Sequence, residues 1–381
     1  MNDVRQGTPG TTRTAERNTP MRIMQVASFY SAYLRAFRQR VPEAAGLSYP
    51  AMLDRLLADG FGAAYILTPS LAERGHETAF AVANWIMGQA AWAAESGHPP
   101  CTTEAEARAI CARQIEAFRP DVLYVLDTIG LDGGFVRALN WKPRLTVGWR
   151  QATIPPGTDW TGYDLMLSGD PGCLDEARRL GVPLTASFRP GFPDFIAQAV
   201  RAEPRRHDLV FSGQVLGEHR TRTALLEHLA KALQKREVAA DAVFHLAVPP
   251  GEALPPDLAA FDRGPVWGRD MYSRLRSGRM GLNIHIDVTG RAMNMRVLEI
   301  TGVGSMLLTE ADPRLEELFQ PSREAETFAD AAEMLDKIAF YAAHPALAET
   351  IAAAGQARCL RDHSMARRAE RFEALIREAG V

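Results

Sequence analysis

The stretch EAEARAICARQIEAFRPDVLYVLD, residues 104–127, holds in one pass the unit from which the rest of the chain is built. Residues 104–118 read as a helix with acidic residues at its start, where the helix dipole favours negative charge. Arg119-Pro120 stops it, because proline cannot continue a helix. Residues 121–126 are almost wholly apolar, as a strand buried on both faces requires, and the strand ends on Asp127. Helix, stop and buried strand in this order are the grammar of parallel α/β units.

The same grammar extends in both directions. Upstream, residues 22–28 (RIMQVAS) read as a first buried strand, 49–58 as a helix with Ser48 available as a cap, and 65–74 as a second helix that Pro69 kinks or starts. Gly75 suits a C-cap, and 77–83 reads as a strand. Downstream, 145–149, 164–168 and 185–188 are short strands, followed by the stiff punctuation Arg189-Pro190-Gly191-Phe192-Pro193. From about Pro204 the pattern restarts: strand 208–212, a glycine loop, helix 221–235, strand 242–247, a proline-rich loop, helix 271–276, strand 280–284, helix 294–302 and strand 305–309. Helices at 329–344, 347–363 and 366–379 close the chain. The expected architecture is α/β, two Rossmann-like domains facing each other across a cleft: a disordered leader at 1–20, an N-terminal domain at 21–190, a C-terminal domain at 204–365, and a closing helix at 366–381 that can cross back to the N-terminal domain.

Composition narrows the function classes. The chain has 381 residues, enough for two ordinary domains, with 46% hydrophobic and 23% charged residues. A formal net charge of -3 lacks the basic excess of a nucleic-acid binder. Cys101, Cys111, Cys173 and Cys359 are scattered, with no C-x-x-C pair and no zinc spacing, so free thiols in a reducing compartment are expected. The leader lacks the apolar core of a secretory signal, and no stretch reaches the roughly 18 apolar residues of a membrane span. A soluble, cytoplasmic protein is expected, with no bound cofactor.

In open parallel sheets, ligands bind at the carboxyl ends of the strands near the topological switch point. No G-x-G-x-x-G follows the first strand, no G-x-x-x-x-G-K-[ST] occurs, and no G-x-S-x-G elbow occurs. Two segments remain. In SGQVLGEHR (212–220) the glycines would let backbone approach a phosphate at a helix N-terminus, and Arg220 and Arg222 could add charge-assisted bonds to a diphosphate. An ordinary strand-to-helix turn with surface arginines is the alternative. In NMRVLEITGVG (294–304), Glu299 sits among apolar neighbours, and a buried carboxylate needs partners. Two vicinal ribose hydroxyls would suit it, and so would an internal salt bridge to Arg296 three residues earlier.

At this helix the sequence resembles the C-terminal domain of group 1 glycosyltransferases, in the branch with N-x-R-x-[FL]-E-x-x-x-x-G before an apolar strand. The motif stands here as Asn294, Arg296, Leu298, Glu299 and Gly304, followed by SMLLT. The blocks at 311–319, 327–345 and 351–364 continue the resemblance in order, over roughly residues 205–375. The N-terminal half is similar more loosely, in RIMQVASFY, ERGHE and RPDVLYVLD. The resemblance implies the GT-B fold, a nucleotide-sugar donor and no catalytic metal. It implies that Glu299 holds the donor ribose, that Gly213 and Gln214 contact phosphates, that Trp267, Gly268 and Arg269 lie near the base, and that the loop from Asn283 through Asn294 to Arg296 lines the sugar and diphosphate. Arg220 and Arg296 are then the candidates for stabilising the leaving diphosphate. Related retaining enzymes carry an acidic residue eight positions before the ribose glutamate. Here that position is Arg291, with Asp287 as a possible substitute, so the stereochemical outcome stays open.

An inverting reaction needs a base, for which Asp127 at its strand end is the candidate; capping the next turn is its structural alternative. His285 can donate to the sugar or a phosphate, or be structural. Trp149, Arg150 and Gln151 follow an N-terminal strand and can face the acceptor. His76 and His245 read as structural. The leading expectation is a glycosyltransferase acting on an unidentified acceptor. A nucleotide-sugar epimerase on the same fold and a non-catalytic nucleotide-sugar-binding protein are the alternatives.

Overall fold

The structure, a computed structural model, describes residues 19–285 and 294–381. The polar leader up to residue 18, Asp287 and Arg291 lie outside the described residues. Six strands, β1 (Arg22–Ala27), β2 (Glu77–Val82), β3 (Val122–Val125), β4 (Leu145–Trp149), β5 (Leu165–Ser168) and β6 (Leu184–Ser187), form one sheet in the order β2-β1-β3-β4-β5-β6. Five more, β7 (His207–Gln214), β8 (Ala242–Ala247), β9 (Gly278–Asn283), β10 (Met306–Glu310) and β11 (Glu326–Phe328), form a second in the order β11-β10-β9-β7-β8. Every pairing in both sheets is parallel. Parallel neighbours need crossovers, which is why a helix or helical turn separates most successive strands.

Strand order fixes where ligands can sit. The chain runs from β1 outward to β2, then returns to lay β3 on the other side of β1. In the second half it runs from β7 to β8, then returns to lay β9 beside β7. The switch points are therefore β1/β3 and β7/β9, and the crevices open at the carboxyl ends of these strands.

The helix Glu104–Phe118 forms as its sequence dictates. Thr103 and Glu106 make a reciprocal capping box, and Arg119 ends it in the left-handed conformation at φ 51°. Asp170, Asp330 and Ser364 cap other helices through their side-chain oxygens. Several elements differ from the sequence reading. Residues 65–74 are not one helix: a short turn at Ala63–Tyr65 precedes a helix at Thr68–Glu73, with Pro69 in its first turn. Helices at Ser31–Arg40 and Ile86–Glu95 were not anticipated, the second because IMGQAAWAAE is small and apolar all round and carries no clear period. β7 runs on through Gln214, so Gly213 and Gln214 are strand residues rather than part of the glycine loop.

The two halves are joined at a double crossing of the chain. The Phe192 amide donates to the His363 carbonyl at 2.8 Å, and the Met365 amide donates to the Phe192 carbonyl at 3.0 Å. Phe192 is fully buried there, and a Cβ on Gly302 would meet its ring at 2.3 Å, so only glycine fits. The last helix, Met365–Glu378, then lies on the first sheet. Its Met365, Ala369, Phe372 and Ile376 pack with Ile23, Tyr124 and Val147, and Glu373 pairs with Arg74 at 2.6 Å. A second set of contacts joins the halves at the far side. Asp59 pairs with Arg40 at 3.0 Å, Arg40 reaches Asp270 at 3.5 Å, and Arg269 donates to the Ala58 carbonyl at 2.9 Å.

Candidate functional site

In the second half, Asn283 and His285 lie at the carboxyl end of β9, and Asn294, Arg296 and Glu299 lie at the start of and within the helix that follows. Glu299, on the helix Arg296–Gly302, is 3% exposed. One carboxylate oxygen accepts from Arg296 Nη1 at 2.7 Å, and the other accepts from the Tyr272 hydroxyl at 3.1 Å. The internal salt bridge weighed from the sequence is thus formed. A carboxylate offers about four lone-pair positions, so both oxygens keep acceptor capacity. Asn294 Oδ1 accepts from the Arg296 amide at 3.1 Å and so shapes the turn that enters the helix, which begins at Arg296 rather than Asn294.

Arg222 takes a place the sequence reading did not give it. It is 6% exposed, and its guanidinium bridges the two strand ends of the switch point: Nε and Nη2 donate to the Ile284 carbonyl at 3.1 and 2.7 Å, and Nη1 donates to the Gln214 carbonyl at 2.9 Å. It holds β7 and β9 apart at a fixed spacing instead of projecting toward a diphosphate. Arg220 is the exposed first residue of the helix Arg220–Gln234. The turn between Gln214 and this helix carries Leu216 at φ 64° and Gly217 at φ 55°. Asn283 is buried at the end of β9 and donates to Thr309 Oγ1 at 2.9 Å. His285 is buried, its backbone amide donating to Glu310 at 2.6 Å. Gly268 has φ 57°, and a Cβ there would lie 2.1 Å from Asp59 Oδ2, so its role in the fold is to let the two halves approach.

In the first half, β1, β3 and β4 are in register through Val26, Val125 and Gly148. The ladder continues past the strands, with Leu126 donating to Val26 at 2.8 Å and Arg150 donating to Leu167 at 3.0 Å. Alternation then places Ser28, Asp127 and Arg150 side by side on one face, and Trp149 on the other. Asp127 Oδ1 accepts from the Gly130 amide at 2.8 Å, and a Cβ on Gly130 would meet Oδ2 at 2.3 Å, so the carboxylate caps its own turn. Arg150 donates to the Thr153 carbonyl; burial pulls its pKa below the ordinary arginine value, against the opposing charges of Cys173, Asp127 and Tyr30.

Aromatic groups close the space between the halves. Tyr65 stands against Trp149 with ring centroids 4.6 Å apart. Burial first, and the charge of the Glu299 carboxylate second, hold its phenol well above the ordinary range. Trp267 packs edge-on against Tyr30 at 6.0 Å and Phe61 at 5.8 Å. Tyr65, Tyr272 and Tyr30 carry no motif, and the sequence offered only their aromatic character. His76 accepts from the Met21 amide at 3.2 Å and His245 hydrogen-bonds the Gly264 carbonyl at 3.1 Å, both away from this space. Among the described residues, no three His, Cys, Asp or Glu side chains are grouped to hold a metal ion, and no helix is long and apolar enough to cross a membrane.

Comparison with known proteins follows from this geometry. Residues 220–374 match the family model described as glycosyl transferase-like. No curated protein matches the sequence. Among solved structures, Anabaena HepE, crystallised in complex with UDP and glucose, is similar at 11% identity and a TM-score of 0.55, covering 94% of this chain and 100% of that one. Sucrose-phosphate synthase from Thermosynechococcus elongatus is similar at 13% identity and a TM-score of 0.53, covering 94% and 98%. A glycosyltransferase from Rickettsia africae is similar at 9% identity and a TM-score of 0.55, covering 95% and 99%. Likeness at such identities is a likeness of fold. The chain therefore has the GT-B fold of two facing Rossmann-like halves, and its residues 220–374 match the model of the glycosyl transferase-like family.

Proposed function

We propose that the protein is a glycosyltransferase that binds a nucleotide-activated sugar against its C-terminal half and transfers the sugar to an acceptor held by its N-terminal half. The observation that carries this reading is Glu299. It is a buried carboxylate oriented by Arg296 and Tyr272, with acceptor capacity to spare, inside the stretch that matches the glycosyl transferase-like family. HepE, which shares the fold, is described in complex with UDP and with UDP-glucose, and a nucleotide sugar is accordingly the donor class to test first.

In this reading Glu299 accepts two hydrogen bonds from the donor ribose, and Gly268 with Trp267 and Arg269 borders the base. Gly213 and Gln214 present backbone at the β7 end to the phosphates. Asn283, His285 and Asn294 border the sugar. Arg220 and Arg296 offset the charge that develops on the leaving diphosphate, so that transfer needs no metal. Asp127 is the carboxylate available to take the acceptor proton in an inverting reaction. A cytoplasmic setting suits four buried free cysteines.

The test is a titration of nucleotides and nucleotide sugars by calorimetry into wild type and Glu299→Gln, with product detection by mass spectrometry in the presence of EDTA. One nucleotide is expected to bind wild type and to lose affinity in the variant, and transfer is expected to survive EDTA. Binding of no nucleotide by wild type would end the transferase reading in favour of a protein with another ligand. Undiminished binding by the variant would end the role given to Glu299.

A further inference from the structure

Buried polar side-chain atoms normally find a partner in the folded state. Among the described residues, Ser28 Oγ, Thr128 Oγ1, Trp149 Nε1 and Arg150 Nε are buried without one. These four do not scatter. They stand at the carboxyl ends of β1, β3 and β4, three strands adjacent in the first sheet, and β1/β3 is its switch point. Two are hydroxyls, which donate and accept. The other two are an indole N–H and a guanidinium N–H, which only donate. The edge is therefore rich in donors, and its one cation is half-buried.

Arg150 is not engaged by the acid beside it. It feels the charge of Asp127, but the two are not in ion-pair contact, and Asp127 is folded over its own turn onto the Gly130 amide. The Arg150 guanidinium donates from Nη2 to the Thr153 carbonyl, and its Nε–H is buried without a partner among the described residues. A half-buried guanidinium that uses one of its five N–H donors within the chain is complementary to a planar or tetrahedral oxyanion.

We propose that Arg150 receives an anionic group, a carboxylate or a phosphate, carried by the acceptor, so that the acceptor is an acidic hydroxyl compound rather than a neutral sugar. This rests on the reading above that the acceptor lies at the first sheet's strand ends. Neighbouring strands are about 4.8 Å apart, and Asp127 and Arg150 lie side by side on β3 and β4. The anionic group therefore sits within a few bonds of the hydroxyl presented to Asp127. Ser28, at the end of β1 in line with Asp127 and Arg150, shares their face.

The experiment measures binding of matched neutral and acidic probes: D-glucose against D-glucuronate, and glycerol against glycerol 3-phosphate. Each is titrated into wild type, Arg150→Gln and Arg150→Lys, with UDP titrated separately into each protein. Wild type is expected to bind one acidic probe at least about tenfold more tightly than its neutral partner. That ratio falls to near one in Arg150→Gln and is partly kept in Arg150→Lys, which retains the charge without the fork. Which acid is preferred separates carboxylate from phosphate. Equal binding of both pairs by wild type overturns the proposal, as does a preference that survives Arg150→Gln. Should that variant fail to fold by circular dichroism, the wild-type preference and the lysine variant still decide. UDP bound without acid preference leaves the donor reading standing and removes this one. Acid preference abolished in Arg150→Gln without UDP binding does the reverse.

Discussion

The two sheets present the same kind of edge and finish it differently. At the β7/β9 switch point, Arg222 spans the crevice and bonds the carbonyls of Gln214 and Ile284, Asn283 is tied to Thr309, and Glu299 is held by Arg296 and Tyr272. At the β1/β3 switch point and the neighbouring β4 end, Ser28, Thr128, Trp149 and Arg150 keep buried polar atoms with no partner. An edge whose polar groups satisfy one another is rigid before a ligand arrives and can bind one constant chemical group. An edge with open hydrogen-bonding positions carries a desolvation cost until a ligand supplies the partners. The family match, residues 220–374, takes in Arg222, Asn283 and Glu299 of the first edge but not β7, and excludes the second edge altogether. The difference teaches that the half carrying the family match ties the named crevice residues to one another, whereas the other half leaves these four side-chain atoms unbonded among the described residues.

The comparison can be broken most severely at Glu299. Glu299→Ala leaves Arg296 without its buried partner, and loss of one member of a buried pair costs about 3–5 kcal/mol. A large drop in the denaturation midpoint is expected, together with loss of nucleotide binding. Glu299→Gln is expected to keep the fold and still weaken nucleotide binding by about 100-fold, since two charge-assisted hydrogen bonds are exchanged for neutral ones. Near-normal binding by the glutamine variant would mean that the prebuilt edge is scaffolding only.

The junction between the edges should respond to acid. His363 is buried, its Nε2 on the Leu318 carbonyl at 3.0 Å and its Nδ1 facing Arg368 at 3.0 Å, and burial first, then the nearby arginines, push its pKa down to about 4 against the help of Leu318. Its folded value lies below its unfolded value, so the unfolded chain binds the proton first. Stability from this group is intact above the ordinary histidine value near 6.5, falls as pH drops toward 4, and is lost by then, on the order of 3 kcal/mol in all. Urea denaturation at pH 7 and pH 4.5 should show the loss in wild type and a smaller one in His363→Gln; equal slopes would remove His363 from the account.

Smaller effects test how firmly the halves are held together. Gly268→Ala forces a side chain into a left-handed position against Asp59 and is expected to destabilise by at least about 1–2 kcal/mol. Solution scattering should register a more open molecule. Arg40→Ala removes a partly exposed pair with Asp59 and Asp270, and is expected to cost less than about 1 kcal/mol, with the difference vanishing at high salt. A large effect from Arg40 and none from Gly268 would mean that charge, not backbone fit, sets the approach of the two halves.

Much of the fold was legible because parallel strands buried on both faces are written as apolar runs with punctuation at either end. The helix Glu104–Phe118 and strands β4 and β8 fall where the letters place them. β11 and the Ile86–Glu95 helix were not legible: the first is three residues long, and the second has no polar face to set a period. At the site, Glu299 was legible as a carboxylate among apolar residues. The bonds of Arg222 to the Gln214 and Ile284 carbonyls were not legible, because a guanidinium facing two carbonyls and one facing a diphosphate are the same letter at the same place in a helix.

The sequence by itself determined the alternation of helix and strand, the restart near Pro204, and a carboxylate at 299 that must be partnered, because these depend on local periodicity and on desolvation at single positions. Only the tertiary structure decided that Tyr272 completes the hold on Glu299, that the last helix returns to the first sheet, and that Ser28, Asp127 and Arg150 share one edge. Such facts are set by strand order and register and by which helix packs on which sheet, and no local pattern in the chain encodes those juxtapositions.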